Sequence, residues 1–489
     1  SHPGPAVHGS PVAVGRPTPV VLPSPAPLQA IAAPHPMPIG SPAVAQWLPH
    51  QPAVRPGFVP TSPRVLEPAG RPPIAAAPQQ ASGQNASGAA LPTLAGLNDP
   101  AYNQMMITRV TQLLQDDSCL RQQCDTCFAQ CARSGRMDLN GLVRFKQMLE
   151  RAFNTPPAPA NNFADAFDRF DFDGDGSLSA YETYKLVKAY LIEFRRMRGG
   201  HPNIAVPNKS LAQAGYSIVG ELARGTQGVA SLATDRSGQH VVVKSYSKEK
   251  ATPDFMMEFK QEMDAMRTLG GHPNIAECIE IFQDVRCLYM VTPANRGGDL
   301  TALRERGRAN GVPMVEDWWR ILFRQCFEAL AYMHGNALMH CDIKEANIML
   351  RTEDLLRVPE VVIIDLGLVA AMAGQDIGGM GTLGYIPPET WSHGKWFPRG
   401  DVFSMGVVIV QLLSDKVPDK KQGKEGLFTE GCRGPREIKQ ATMTREPQYH
   451  LMEVQTPDFV GLCRGCLQKA RRSRPKAPQA LANPWFSPR

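Results

Sequence analysis

The sequence predicts an α+β chain in which an all-α segment precedes a two-lobed domain. Apolar residues recur at three- and four-residue spacing from Ala101 to Arg198, which is typical of helices that bury one face. From about Tyr216 the pattern changes to short strand-like runs such as His240–Val–Val–Val–Lys244, and from about Asp317 it is mainly helical. A strand-rich stretch followed by a helix-rich one indicates two lobes of different secondary structure.

The first part of the chain, residues 1–95, has a composition that predicts disorder. It is rich in Pro, Ala, Gly and Ser, carries very few charges and keeps no helical or strand period. Such a segment cannot bury enough apolar surface to offset chain entropy, so we expect a disordered tether. The other predicted boundaries are an all-α segment at 101–198, a linker at 199–215 and the two-lobed domain at 216–486.

Charge and cysteine content narrow the function classes. The chain has 52 Lys and Arg against 46 Asp and Glu in 489 residues, and this net charge of +6 is too mild to indicate a nucleic-acid partner. We interpret the basic run Lys469–Arg474 as a solvated surface. Eleven cysteines and no leading signal sequence predict a reducing intracellular compartment, with the cytoplasm as the expected location.

No apolar run reaches about 18 residues, so the sequence predicts no transmembrane segment, and Val402 to Leu413 is expected to be a buried helix. Because the chain starts at Ser1 and not at Met, lipid anchoring stays open. The sequence also leaves the oligomeric state open.

Residues 171–182 have the spacing of an EF-hand calcium loop, Asp–Phe–Asp–Gly–Asp–Gly–Ser–Leu–Ser–Ala–Tyr–Glu. Ca²⁺ takes six to eight oxygens, and such a loop supplies them from alternate positions. Gly176 permits the sharp turn, and apolar residues line one face of both flanking helices, which disfavours a simple acidic turn. The predicted calcium ligands are Asp171, Asp173, Asp175, Ser177 through its backbone carbonyl, and Glu182 with two oxygens.

A degenerate partner hand is predicted upstream, at residues 130–141. Gly135 and Met137 stand at its turn and apolar positions, but the leading carboxylates and the closing Glu are missing, so we expect no metal there. Cys124, Cys127 and Cys131 share one helical face of this region. We expect them to be buried thiols, because no second cluster completes a zinc site.

The second domain contains the parts that phosphoryl transfer needs for positioning and charge neutralisation, in one order along the chain. Gly225 and Gly228 lie between two strand patterns, where backbone amides could approach phosphates. Lys244 follows on a strand and can reach the α- and β-phosphates. Glu262, on an amphipathic helix, is its expected ion-pair partner.

The remaining parts come downstream, in His340–Cys–Asp–Ile–Lys–Glu–Ala–Asn347 and Asp365–Leu–Gly367. Asp342 would accept the proton of the substrate hydroxyl, and Lys344 would steady the γ-phosphate. Asn347 and Asp365 would hold Mg²⁺. The probability that all these parts occur in this order by chance is well under ~1%.

With these motifs, residues 216–486 resemble the eukaryotic protein kinase family, and in particular the calcium-dependent and calmodulin-dependent Ser/Thr kinases. The resemblance implies a two-lobed kinase fold, with ATP and Mg²⁺ in the cleft and protein substrates that present Ser or Thr. Thr292 would be the gatekeeper residue. The ATP-binding residues that it implies are Gly225, Gly228, Ala230, Val242, Lys244, Thr292, Asp299, Met349 and Asp365.

Several positions depart from the family's pattern. Cys341 replaces the usual Arg of the catalytic loop, and residues 368–380 contain no Ser, Thr or Tyr. Both partners of the usual phosphorylation switch are therefore missing, so we expect activity without phosphorylation of the activation loop. Glu345–Ala346 replaces the usual Pro–Glu, which leaves a preference for basic substrates open.

Three interpretations compete. The first is a Ser/Thr kinase that Ca²⁺ modulates through the EF-hand. The second is a pseudokinase scaffold that binds Ca²⁺ without catalysis, suggested by Cys341 and by Ala223 in the phosphate loop. In the third, the EF-hand is structural or loaded with Mg²⁺ and senses nothing.

Overall fold

The structure is a computed structural model that describes residues 99–153, 163–199, 206–224, 228–250, 253–355, 359–368, 370–372, 381–419 and 422–487. The predicted disordered segment at 1–95 and Gly225 of the predicted phosphate loop lie outside the described residues. In the described part of the chain, no helix combines the length and apolar character needed to cross a membrane.

The described part of the N-terminal segment consists of five helices, of which the second to the fifth form two helix–loop–helix units. Met137 and Leu178, one in each loop, exchange two backbone hydrogen bonds of 2.9 and 2.8 Å, so the two loops form a short β-bridge. This is the pairing that the apolar positions of the two hands predict. The helices are α1 Pro100–Gln115, α2 Asp117–Cys131, α3 Leu139–Phe153, α4 Phe163–Phe170 and α5 Ala180–Met197.

The strand-rich lobe is one antiparallel sheet of five strands in the order β1-β2-β3-β5-β4, with α7 packed beside it. Its elements are α6 Leu211–Ala214, β1 Ser217–Arg224, β2 Gly228–Thr234, β3 His240–Ser247, α7 Pro253–Leu269, β4 Glu280–Gln283 and β5 Cys287–Pro293. The end of the predicted linker belongs to this lobe, because Lys209 N donates to Gln283 O at 2.8 Å.

The helix-rich lobe surrounds the helix Pro398–Leu413 (α11). Every residue of this helix is buried, as the apolar run from Val402 to Leu413 predicts. Its helices are α8 Leu303–Ala309, α9 Glu316–Gly335, α10 Pro388–His393, α11 Pro398–Leu413, α12 Pro435–Thr444, α13 Pro457–Cys466 and α14 Ala477–Leu481. Its strands are β6 Leu338–Met339, β7 Ile348–Leu350, β8 Val361–Ile363 and β9 Ala370–Ala371. The predicted α+β class, with an all-α segment before two lobes, is confirmed.

The N-terminal helices share an apolar cluster with the helix-rich lobe. Phe172 and Leu178 of the loop at 171–182, and Phe170 directly before it, belong to this cluster. The cluster also contains Cys341 and Trp396 of the second domain. Because burial of apolar surface is the main favourable term in folding, this shared cluster makes the segment and the lobe one packed unit. The predicted burial of Cys124, Cys127 and Cys131 is confirmed, and all three are free thiols.

The interpretation of Lys469–Arg474 as a solvated surface is wrong at Lys469, Arg471 and Arg474; the side chain of Arg471 is 16% exposed and faces Asp165 and Asp168. Arg474 is 1% exposed, and the ammonium of Lys469 lies 4.5 Å from the ring centroid of Phe428. Within the described residues, Lys469 Nζ has no hydrogen-bond partner. Burial lowers the pKa of Lys469 from 10.5 to about 8; Glu446 opposes this change, and Arg474 and Arg445 add to it.

We therefore expect the thermal midpoint of the protein to rise between pH 8 and pH 10.5, because the unfolded chain still binds a proton at Lys469 in this window and the folded chain does not. Below pH 8 both states are protonated, and the buried charge costs stability. Lys469→Met should raise the midpoint at pH 7 and flatten this rise, measured by thermal unfolding against Lys439→Met as an exposed control. Parallel pH profiles of wild type and Lys469→Met would contradict it.

Candidate active site and calcium loop

Lys244 lies on β3 and connects the strand-rich lobe to α7. Its Nζ donates to Oε1 of Glu262 at 3.0 Å and lies 3.5 Å from Oδ1 of Asp365. Burial alone would lower the pKa of Lys244, but Glu262 and the other negative neighbours outweigh it and raise the pKa. Tyr246, two residues further along β3, donates to the second oxygen of Glu262 at 3.1 Å, a contact that the sequence analysis missed.

Asp342 lies between β6 and β7, at the centre of a hydrogen-bonded group. Its carboxylate accepts from Lys344 Nζ at 2.6 Å and from Asn347 Nδ2 at 3.1 Å. Thr382 donates to the other oxygen from its hydroxyl at 2.6 Å and from its backbone amide at 3.0 Å. Since Lys344 Nζ also donates to the Thr382 hydroxyl at 2.9 Å, the three side chains have fixed relative positions.

Asp401, at the start of α11, fixes the backbone of this loop. Its carboxylate accepts from the backbone amides of His340 and Cys341, both at 2.9 Å. It also pairs with Nε2 of His334 at 2.9 Å, and Asp401 is fully buried. The apolar run from Val402 to Leu413 predicts the buried helix but gives no signal for this contact.

Asp365 follows β8 and faces Lys244. Burial would raise the pKa of Asp365, but the positive charges of Lys244, His340 and Lys344 lower it. The carboxyl is therefore ionised at neutral pH, as a Mg²⁺ ligand must be. The neighbouring Ile364 N donates to Asn347 O at 2.9 Å, so the two expected metal ligands, Asp365 and Asn347, come from adjoining segments.

The described residues that were predicted to bind ATP include neighbours within the five-stranded sheet and a pair beside β7. Val242 pairs with Thr292 across β3 and β5, and Ala230 pairs with Lys244 across β2 and β3. Asp299 and Met349 form an isolated bridge. Gly228 has a steric reason for being glycine, since a Cβ there would lie 2.4 Å from the backbone oxygen of Ser245.

Glu345 is fully enclosed and has a structural role. Its carboxyl accepts from Gln411 Nε2 at 2.8 Å and from the hydroxyl of Tyr385. Burial raises the pKa of Glu345, and these two hydrogen bonds oppose the change only in part. The residue therefore connects the loop of Asp342 to α11 and to the segment before α10.

Arg474 pairs with Glu389 in the helix-rich lobe. Arg474 also donates to the backbone oxygen of Arg399 at 2.8 Å.

In the loop at 171–182, three acidic side chains converge. Carboxylate oxygens of Asp171, Asp173 and Asp175 lie within 4.8 Å of one another. Gly176 has φ +84°, which supports the sharp turn. The Glu182 carboxylate turns back to the loop, because it accepts from Phe172 N at 2.7 Å and from Ser179 N at 2.8 Å. These residues fit a hard cation that prefers oxygen ligands.

The helix before the calcium loop, α4, carries the ionic contacts to the helix-rich lobe. Asp168 pairs with Arg399, and its second oxygen lies 3.3 Å from Arg471 Nε. Asp165 lies 3.4 Å from both Arg471 and Lys395. Two acidic residues of α4 thus face three basic residues of the second domain.

Arg169, also on α4, reaches the segment that follows Asp365. Its Nη1 donates to the backbone oxygen of Met372 at 2.9 Å, and its guanidinium lies 4.9 Å from the ring centroid of Phe397. The helix before the calcium loop therefore contacts the chain between Asp365 and Thr382. The sequence analysis predicted none of these contacts.

Part of this chain matches a known protein family. Residues 216–486, more than half of the chain, match the model of the protein kinase domain. The chain is 28% identical over 282 residues to CDPK-related kinase 1 of Arabidopsis thaliana, covering 55% of this chain and 46% of that protein. It is 27% identical over 282 residues to calcium/calmodulin-dependent serine/threonine-protein kinase 1 of Oryza sativa subsp. japonica, covering 56% of this chain and 44% of that protein.

A third relative is calcium/calmodulin-dependent protein kinase type 1 of Caenorhabditis elegans, 27% identical over 300 residues, which cover 60% of this chain and 79% of that protein. The chain thus spans slightly less than half the length of the two plant relatives. With the ion pair of Lys244 and Glu262, the group around Asp342 and the matched domain in agreement, this chain belongs to the protein kinase family.

Proposed function

We propose that this chain is a Ser/Thr protein kinase that transfers the γ-phosphate of ATP to hydroxyl groups of proteins. The observation that supports this most is the arrangement around Asp342, whose carboxylate faces the ammonium of Lys344 at 2.6 Å. Asp342 would orient the substrate hydroxyl and accept its proton, and Lys344 would neutralise charge on the transferred phosphate. The name of the Oryza sativa relative, a serine/threonine-protein kinase, supports Ser and Thr as acceptors.

The nucleotide side of the proposal rests on Lys244, Asp365 and Asn347. Lys244 would bind the α- and β-phosphates, since Glu262 fixes its ammonium in the cleft. Asp365 and Asn347 would hold Mg²⁺, which supplies charge neutralisation to the phosphates when it is bound. A full-chain assay with labelled ATP and mixed protein substrates tests the proposal. The proposal would be contradicted if the protein neither bound Mg-ATP nor labelled any hydroxyl group.

The kinase is further proposed to be active without phosphorylation of its activation loop. Cys341 is fully buried in the apolar cluster shared with α4 and α5, where it could not pair with a phosphate. The hydrogen bond of Arg169 to Met372 O would hold the chain at Met372 in place of a phosphate contact. Phosphatase-treated protein should keep its activity.

The proposal includes modulation by Ca²⁺ at residues 171–182. Support comes from the packing of the calcium loop and α4 against the lobe that carries Asp342. Because of this packing, a conformational change in the EF-hand pair would alter the contacts of the catalytic loop. The name of the Oryza sativa relative also refers to dependence on calcium and calmodulin in that protein. Activity measured with Ca²⁺ and with a chelator tests this part, and equal rates would remove it.

Glu182→Gln is expected to weaken Ca²⁺ binding by about tenfold or more, because an amide offers one neutral oxygen where the carboxylate offers two charged ones. The variant separates metal binding from helix stability, since Gln can replace Glu in the capping box with Ser179 at the start of α5. Calorimetric titration of the full chain gives the affinity. Glu150→Gln on α3 is the control, and an unchanged Glu182→Gln affinity would place the ion elsewhere.

A further inference from the structure

The kinase domain contacts the calcium loop at one of the proposed calcium ligands. Lys476, the residue before α14, donates from Nζ to the backbone oxygen of Asp168 at 2.8 Å. The same Nζ lies 3.5 Å from Oδ2 of Asp171, the first position of the loop. Lys476 is 2% exposed and Asp171 is 5% exposed, so solvent ions screen this pair weakly.

Gln479 contacts the same loop from α14. Its Nε2 donates to the backbone oxygen of Gly174 at 3.0 Å, and its Oε1 accepts from Lys476 N at 2.9 Å. A Cβ at Gly174 would lie 2.4 Å from Gln479 Nε2, so the two surfaces are in close contact there. The kinase domain thus contacts the first and fourth positions of the calcium loop.

We propose that Lys476 couples Ca²⁺ binding to the docking of the EF-hand pair on the kinase domain. This inference rests on the proposed function, because it requires that residues 171–182 bind Ca²⁺. An ion bound by Asp171 would share one carboxylate with a buried ammonium and be repelled by it. The docked arrangement therefore lowers Ca²⁺ affinity. By linkage, bound Ca²⁺ weakens docking by the same factor.

A second cation near the loop provides a comparison. Arg136, in the degenerate hand, lies 2.9 Å from Oδ2 of Asp175, and its side chain is 44% exposed. Because Arg136 belongs to the EF-hand pair itself, its charge affects the ion without affecting contact with the kinase domain. Lys476 differs in that it belongs to the partner surface.

The first test is Ca²⁺ titration calorimetry on the full chain. Lys476→Met keeps the apolar stem and removes the charge, and we expect it to tighten the Ca²⁺ dissociation constant by about tenfold. Lys439→Met, which removes an exposed charge on α12, should leave it unchanged. If Lys476→Met does not fold, Lys476→Gln, which keeps a donor for the oxygen of Asp168, takes its place.

The second test is hydrogen exchange of residues 337–341, which contain members of the shared apolar cluster. Saturating Ca²⁺ should increase exchange there in the wild type and in Arg136→Met. In Lys476→Met the increase should be largely lost, because the ion no longer competes with a kinase-domain charge.

The outcomes separate this inference from the proposed function. Wild-type Ca²⁺ binding that Glu182→Gln weakens, together with an unchanged or weaker affinity in Lys476→Met, overturns the coupling alone. A wild type that binds no Ca²⁺ overturns both the coupling and the modulation by Ca²⁺. Tighter binding in Lys476→Met, with Ca²⁺-dependent exchange only where Lys476 is present, supports the coupling.

Discussion

Asp342→Asn is expected to lower the rate of phosphoryl transfer by about 10²- to 10⁴-fold, the usual contribution of a positioned general base. The amide keeps the shape of the side chain and can still accept from the backbone amide of Thr382, now 3.0 Å from Oδ1. It cannot take a proton from a substrate hydroxyl. Steady-state kinetics with saturating Mg-ATP measure the loss as a fall in kcat.

Nucleotide affinity should change little in this variant, since Lys244, Asn347 and Asp365 are the proposed contacts to the phosphates and the metal. Binding of a fluorescent ATP analogue checks this, and Glu353→Gln, at an exposed ion pair, is the matched control for removing a carboxylate. A variant that keeps more than about a tenth of the wild-type kcat would show that Asp342 is not the base. A scaffold without catalysis would lose no function on this change.

The parts of the fold that the sequence predicts are those with short-range signals. The spacing of carboxylates and Gly176 within twelve residues predicts the turn in which Asp171, Asp173 and Asp175 converge, because all of these residues come from one short stretch of chain. The burial of α11 follows from its composition alone. The motif around Asp342 is likewise local, and Lys344 and Asn347 lie within five residues of it.

The contacts between the EF-hand pair and the kinase domain could not be predicted in this way. Arg169 and Met372 are 203 positions apart, and Lys476 and Asp168 are 308 apart, so no local period connects them. A basic residue in a run such as Lys469–Arg474 has the same local pattern whether it is solvated or faces a carboxylate. The burial of Glu345 could not be predicted for the same reason, since its partners Tyr385 and Gln411 come from distant segments.

We expect the docking of α4 to depend on the carboxylate of Asp168. Its side chain is 13% exposed, and those of Arg399 and Arg471 are 10% and 16% exposed, so the ions are mostly withdrawn from water. Removing this carboxylate takes the acidic partner from Arg399 and leaves Arg471 with Asp165 alone. An uncompensated buried charge costs about 3–5 kcal/mol. Asp168→Asn should therefore weaken docking of the EF-hand pair on the kinase domain by roughly this amount.

Calorimetric unfolding measures this loss, because two units that no longer stabilise each other unfold in separate transitions. We expect one main transition for residues 99–487 in the wild type and two in Asp168→Asn. Tyr181→Phe is the control at the same interface. It removes only the 3.2 Å hydrogen bond of an exposed hydroxyl to Gly335 O and should leave the transitions unchanged.

A double-mutant cycle then assigns the energy to a specific pair. Arg471→Gln alone should cost less than Asp168→Asn, because Asp168 keeps Arg399 as a partner. The two changes together should cost less than the sum of the single changes, since the second removes a charge that the first leaves with one acidic partner fewer. A coupling energy below about 0.5 kcal/mol would mean that the apolar cluster around Trp396, and not the ion pairs of α4, determines docking.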